Sequence, residues 1–384
     1  EAEIKEDLIQ ADNKMQDPRP LEWPNPWPAE KRSEINGKFY QFLEDQFRWN
    51  NNPFGPEKAE LDPELLHFGL EDFARQASSL EPMVLFGAEG TGKTAAAMLL
   101  AGTKSKWAET NGSNSWTISP LAPRVLTVFP VAPDRLDAPL SRRDWLDVIE
   151  SAYASLCLRL LARNSYLLLE PSEPSFYQAS LMALLLRHCA SVEGLVEQLR
   201  IAKCNDRTLF DKLRRQAAVA RSDNLGLHQR IDLLASCTPP GIECAFLVVD
   251  VGGATVSKAE LRRNLEELLL LSVNLAHRRI YLKGFFPSDV QPLLGKLQWV
   301  KSAPLAWNTE SLREMLRRRL GWAGGVRFFP GESPETEDVF LEQALQNPGR
   351  MIRLGNRLLE MLHRDPKARL DEELIKAAAE SIGR

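Results

Sequence analysis

The chain has 384 residues, 44% of them hydrophobic and 26% charged. That balance excludes a wholly disordered chain, and the length allows a large domain with appendages whose core needs no disulfide or metal. With 48 Lys and Arg against 52 Asp and Glu, the net charge of −4 disfavours a globally basic nucleic-acid binder but leaves room for a local basic patch.

Residues 1–80 hold 9 basic and 17 acidic side chains, and the rest of the chain holds 39 and 35. An acidic lead-in therefore precedes a slightly basic body. The chain begins at Glu1 with no signal-like apolar segment, as expected of a trimmed or processed piece of something longer. Pro18, Pro20, Pro24, Pro26 and Pro28 interrupt any helix, because each lacks an N–H and restricts its predecessor. Trp23 and Trp27, set among them, suit docking onto a surface of this protein or of a partner. Phe39, Phe42, Leu43 and Phe47 recur on one face and predict a helix from Lys31 to Trp49. After the turn Asn52-Pro53-Phe54-Gly55-Pro56, Asp62-Pro63 reads as an N-cap with proline at the first helical position, opening a helix to about Ser78.

Apolar runs then alternate with helices. Strands are expected at Pro82–Phe86, Arg124–Val131, Ala245–Val251, Ile280–Phe286 and Ser302–Ala306. Helices are expected at Thr94–Ala101, Arg142–Ala162, Pro174–Leu186, Ser191–Ala202, Asp206–Arg221, Gly226–Ser236 and Ala259–His277. Buried strands joined by helices are the α/β pattern with a parallel sheet. After Thr309 only helices are expected: Thr309–Leu320, Glu337–Gln346, Pro348–His363 and Asp371–Ala379. The predicted organisation is a linker and helix over 1–49, an α/β domain over 50–308 with a helical insert over about 133–243, and a small helical domain over 309–384. No apolar run approaches the length of a membrane span. The five cysteines form no CxxC pair and are expected as reduced, buried thiols of a cytoplasmic protein.

The strongest motif is Gly87-Ala88-Glu89-Gly90-Thr91-Gly92-Lys93-Thr94, the pattern GxxxxGK[ST]. Glycines let backbone N–H groups turn inward as an anion nest, and the helix that opens behind the loop adds its N-terminal dipole. Lys93 brings a point charge to the β- and γ-phosphates of a nucleotide, and the Thr94 hydroxyl suits Mg²⁺. The apolar run before the loop and the helix after it supply the required context. Phe246-Leu247-Val248-Val249-Asp250 is a hydrophobic strand ending in a carboxylate, as a Walker B element needs to reach Mg²⁺. The place for a second acid beside Asp250 is taken by Val251, so no general base is evident.

With these motifs the chain resembles the AAA+/STAND branch of P-loop NTPases over about residues 50–380. The resemblance rests on the GAEGTGKT loop, the LVVD strand and the segment Asn347-Pro348-Gly349-Arg350-Met351-Ile352-Arg353-Leu354, which is similar to the "sensor 2" segment of AAA+ lids. It implies ATP or ADP with Mg²⁺ as cofactors and Arg350 as the lid arginine that points at the γ-phosphate. A guanidinium there offers a fork to phosphate oxygens. It also implies that the Asn52-Pro53-Phe54 turn packs beside the adenine, with Phe54 stacked on the base, although a hydrophobic staple explains Phe54 equally well. The fourth strand takes the place of "sensor 1", with Lys283 and Ser288 as its polar residues. Arg278 and Arg279 suit a helix end better than a finger to a neighbour.

The implied function is a slowly hydrolysing regulatory ATPase whose nucleotide state controls assembly or partner binding. The same motifs suit a nucleic-acid-associated AAA+ ATPase, or a nucleotide-binding scaffold without turnover, which Val251 favours. The insert's apolar faces, with Leu156, Leu158, Leu160, Leu161, Leu181, Leu184 and Leu185, are expected to pack into the core. The five histidines lack metal spacing. Arg317-Arg318-Arg319 fan around a helix and are expected on a solvated face. Trp299, Trp307 and Trp322 are expected to seal the junction to the helical domain.

Overall fold

The computed structural model describes residues 29–50, 52–55, 70–101, 124–129, 131, 133, 136–163, 176–189, 191–201, 204, 206–216, 225–239, 241–251, 257–294, 299–325, 334–365 and 367–383. The proline-tryptophan segment and the Asp62-Pro63 helix start lie outside them. Five strands form one parallel sheet: β1 (Met83–Gly87), β2 (Val125–Val128), β3 (Cys244–Asp250), β4 (Ile280–Pro287) and β5 (Lys301–Pro304). Their order is β2-β3-β4-β1-β5. The helices in chain order are α1 (Ala29–Phe47), α2 (Glu71–Ala77), α3 (Lys93–Ala101), α4 (Arg142–Arg163), α5 (Phe176–Cys189), α6 (Val192–Ile201), α7 (Arg207–Gln216), α8 (Leu227–Ser236), α9 (Lys258–Ala276), α10 (Thr309–Trp322), α11 (Pro334–Gln343), α12 (Pro348–Arg364) and α13 (Glu372–Ser381). Apart from the start of α2 and the end of α7, where the expected helices run into residues outside the described ones, these agree with the expected elements to within a few residues at each end.

The chain forms two compact units. One comprises Ala74–Phe86 and Leu100–Pro304; the other comprises Gly87–Leu99 and Leu305–Arg384 with the described part of Gln16–Phe73. The division is therefore not the linear one at residues 50 and 309. The glycine loop groups with the C-terminal helices because its hydrogen-bond partners lie there, as detailed below.

In the sheet unit β1–β4 are apolar because both faces are covered, whereas the edge strand β5, Lys301–Pro304, is largely exposed. Every residue of β1 and β2 is buried, and β3 is buried up to Asp250. Val84, Leu126, Leu247 and Leu282 of the sheet share one hydrophobic cluster with Trp145, Leu156, Leu161, Leu181 and Leu185 of the insert. The insert helices thus enlarge the sheet's own core. Two buried polar groups specify how they pack. Asn264 of α9 is fully buried; its Oδ1 accepts from Leu140 N at 2.9 Å and its Nδ2 donates to Leu136 O and Ala138 O at 2.8 and 3.0 Å. Its own carbonyl accepts from Trp145 Nε1 at 2.7 Å, which joins α4 to α9. Arg230 of α8 makes a two-pronged contact with Glu150 of α4, Nε to Oε1 at 2.7 Å and Nη2 to Oε2 at 2.8 Å, and also pairs with Asp147. Burial of both partners is tolerated because each charge faces its opposite.

Lys283 departs from its expected place. It is 1% exposed in the middle of β4, and its Nζ donates to Ser79 O and, at 2.7 Å, to Glu81 O, at the entry to β1. The ammonium also lies 4.4 Å from the Phe246 ring centroid. The ammonium thus reaches back to the segment that precedes β1, away from the carboxyl ends where a sensor residue would act. Arg278 pairs with Asp232 on α8. Cys157, Cys204, Cys237 and Cys244 are buried, Cys189 is partly so, and all five are free thiols. Burial pushes Cys157 up to about 12 and Cys244 up to about 11, so they are inert. Among the described residues no single helix is long and apolar enough to cross a membrane.

In the helical unit, α1 packs its predicted aromatic face on α12: Phe39 and Phe42 contact the His363 ring, at centroid separations of 5.8 and 4.9 Å. The 52–55 turn is locked by Asn52, whose Oδ1 accepts from Phe54 N at 2.9 Å and whose Nδ2 donates to Asn356 Oδ1 at 2.8 Å. Arg319 of α10 is 4% exposed and donates to Pro53 O at 2.9 Å. The expectation of a solvated Arg317-Arg318-Arg319 face is corrected at this residue: the turn's carbonyl drew its guanidinium inward. Arg318 keeps the expected surface role, paired to Glu314 at 2.8 Å.

Candidate functional site

The sheet order defines where a ligand would be received. From β1 the chain leaves for β2 at one edge, and from the neighbouring β4 it leaves for β5 at the other. This reversal is a topological switch point, and open parallel sheets take ligands at the carboxyl ends of strands that flank one. The chain leaving β1 there is the Gly87–Thr94 loop.

The loop's shape follows from its glycines. Gly90 and Gly92 have φ of +78° and +87°, a region open to glycine at no steric cost. A Cβ on Gly87 would stand 2.3 Å from Thr91 Oγ1, and one on Gly90 would stand 2.6 Å from Asn347 Oδ1. Gly92 opens α3 by accepting from Ala96 N at 2.9 Å, and the strong helix formers Ala95-Ala96-Ala97-Met98-Leu99 continue it. The helix dipole therefore points its positive end into the loop.

Every carbonyl from Gly87 to Thr91 has a donor. Lys93 Nζ donates to Gly87 O at 2.9 Å and to Ala88 O at 2.8 Å. Thr91 Oγ1 also donates to Ala88 O at 2.8 Å. Glu89 O accepts from Asn347 Nδ2 at 2.7 Å, and Gly90 O accepts from Gly349 N at 2.8 Å. Thr91 O accepts from Trp307 Nε1 at 3.0 Å. With its carbonyls engaged, the backbone groups this loop can offer an anion are amides, of which Thr91 N donates to Ala88 O at 3.4 Å. Lys93 is 7% exposed, its ammonium folded back on the Gly87 and Ala88 carbonyls. Gly87 is buried, Thr94 is half-buried, and Ala88 and Glu89 are exposed. Backbone amides, a lysine and a helix N-terminus are the kinds of donor that suit phosphate.

The other expected site residues lie as follows. Asp250 ends β3, opposite Phe285 of β4, with Val251 directly after it. The glycine-rich stretch beyond, from Gly252, lies outside the described residues. Phe54 is fully buried among Trp49, Phe340 and Gly355, where a Cβ would come within 2.1 Å of its ring. That environment commits the ring to packing rather than to a base. Arg350 is 7% exposed, and its guanidinium donates to Gln343 O at 2.8 Å, to Ala379 O at 3.3 Å and to Gly383 O. These carbonyls end α11 and α13, where a cation is stabilised by the helix dipole. Trp299 is 50% exposed, whereas Trp307 is buried and takes the role just described.

Asn347 is the residue whose part the sequence did not disclose. It is the N-cap of α12, its Oδ1 accepting from Arg350 N at 3.0 Å, and Pro348 follows at N1. Asn-Pro announces the helix start. Nothing in the pattern announces that the other half of the amide reaches Glu89.

Set against models of protein families, curated proteins and solved structures, the chain has no match.

Proposed function

We propose that the chain is an ATP-binding, slowly hydrolysing regulatory ATPase of the AAA+/STAND type, a P-loop NTPase module with a helical lid. The observation that carries this is the Gly87–Thr94 loop, with left-handed Gly90 and Gly92, the Glu89, Gly90 and Thr91 carbonyls held from outside, and Lys93 folded back on the loop. In this proposal the amides of Gly87–Thr94 and the Lys93 ammonium bind the nucleotide phosphates. To do so, Lys93 Nζ exchanges the Gly87 and Ala88 carbonyls for phosphate oxygens. Thr94 and Asp250 are the residues whose oxygens suit Mg²⁺, which would neutralise the phosphate charge.

Turnover is proposed to be slow because Val251 stands where a second acid would polarise water. Binding without turnover is a second reading that the same residue favours. Arg350 can read the γ-phosphate only by giving up three carbonyls. The 347–349 turn, already on the loop, is therefore the simpler route by which nucleotide state would reach the helices. Nucleotide-dependent assembly or partner binding is the proposed output. Mass photometry with and without Mg·ATP, beside a phosphate-release assay, tests it. A mass distribution that shifts with ATP, with slow phosphate release that Asp250→Asn abolishes, is expected. A mass distribution indifferent to ATP would remove the regulatory part.

A further inference from the structure

We infer that Asn347 is a positioning residue for the phosphate-binding loop: it holds the loop in its anion-binding shape from behind, through the Glu89 carbonyl. The inference rests on the nucleotide reading of that loop. Asn347 uses both ends of its amide. Oδ1 caps α12 through Arg350 N at 3.0 Å, and Nδ2 donates to Glu89 O at 2.7 Å. Gly349 N, one turn-position on, donates to Gly90 O at 2.8 Å. Two successive loop carbonyls are thereby turned toward α12. In a peptide plane the carbonyl and the next amide point in opposite directions. Holding Glu89 O and Gly90 O toward α12 therefore turns the Gly90 and Thr91 amides the other way, the Thr91 amide donating to Ala88 O at 3.4 Å within the loop.

Two features show that the contact is built rather than incidental. Leu345 and Gln346, which lead into Asn347, have φ of +52° and +55°, two consecutive non-glycine residues in the left-handed region. Such strain persists only where the surroundings fix it. The approach is also too close for side chains: a Cβ on Gly349 would lie 2.8 Å from Gly90 Cα and 2.9 Å from Gly90 O. The chain accepts a costly connection and keeps glycine on both sides to bring the start of α12 onto the loop.

The test compares Asn347→Ser with the wild-type chain. Serine is as good an N-cap as asparagine, so α12 keeps its start. Its hydroxyl is too short to cap the helix and reach Glu89 O together, and it adds no charge. Mg·ADP affinity is read by calorimetry and the melting temperature by calorimetric scan. The expected result is a melting temperature near that of wild type, with Mg·ADP bound about tenfold more weakly in Asn347→Ser, which corresponds to about 1.4 kcal/mol. Asn347→Gln, which can restore the donor, is expected to recover part of the affinity. A wild type that binds Mg·ADP and an Asn347→Ser that binds it equally well would overturn this inference alone. Affinity lost only in proportion to a lowered melting temperature would also overturn it. A wild type that binds no Mg·ADP overturns the nucleotide reading and this inference with it.

Discussion

The backbone N–H of Gly349 donates to the carbonyl oxygen of Gly90 at 2.8 Å, and each of these residues lacks the Cβ that would prevent it. One hydrogen bond thus joins the glycine loop to the first turn of α12. Gly349→Ala would place a methyl group 2.8 Å from Gly90 Cα, against backbone that cannot swing aside. We expect it to destabilise the chain by about 1–3 kcal/mol through overpacking, measured by urea denaturation. Stability equal to wild type would show that the two segments separate freely.

Arg350 links the ends of three helices. Arg350→Met keeps the aliphatic stem and removes the donors to Gln343 O, Ala379 O and Gly383 O. Unsatisfied carbonyls at helix ends are costly when buried. The expected loss is about 2–4 kcal/mol, read from the denaturation midpoint. An unchanged midpoint would show that these contacts are dispensable and would leave the guanidinium available for another role.

Lys283 predicts a pH dependence. Burial lowers its ammonium to about 7. The neutral amine has two hydrogens, matching the Ser79 and Glu81 carbonyls it touches. Between about pH 7 and the ordinary lysine value of about 10.4, the unfolded chain holds a proton that the folded chain has released. Stability contributed by this group therefore rises with pH from about 7 upward and is lost as pH falls through that value. Lys283→Met should flatten the rise. The difference in melting temperature between the two proteins, followed from about pH 6 to about pH 9, checks it. A difference independent of pH would mean that the lysine stays charged when folded.

Arg230 and Glu150 form a buried ion pair of the insert, with side chains 10% and 11% exposed. Arg230→Ala leaves a carboxylate in a low-dielectric site and should cost about 3–5 kcal/mol. The double change Arg230→Met with Glu150→Leu should recover most of that, since well-packed apolar pairs often equal a buried ion pair. Failure of the double variant to recover would point to Asp147 and Arg187, the remaining partners, as the larger contributors.

Much of the fold was legible in the sequence because its signals are local. The run Phe246–Asp250 and the strands beside it are apolar enough to be buried on both faces, and the caps at Ser257, Asn308, Asn347 and Asp371 mark helix starts one residue at a time. The glycine loop was legible for the same reason. What could not be read were contacts between residues far apart in the chain. Arg350 and Arg319 look like phosphate-reading and solvent-facing arginines until the carbonyls of Gln343 and Pro53 are seen beside them. Phe54 has the same composition beside a base as it has against Gly355; only the close approach of α12 decides between them. Lys283 follows the same logic: alternation along β4 says which face it takes, but not that Ser79 and Glu81 present carbonyls to it.

The central claim is that the Gly87–Thr94 loop binds nucleotide phosphates with Lys93 as their countercharge. Calorimetric titration of the full chain with Mg·ATP, beside Lys93→Ala, tests it most directly. The account predicts saturable one-to-one binding by the wild type and a loss of affinity of at least about tenfold in the variant, equivalent to at least about 1.4 kcal/mol. Equal affinity in the two proteins, or no binding by the wild type, would contradict it.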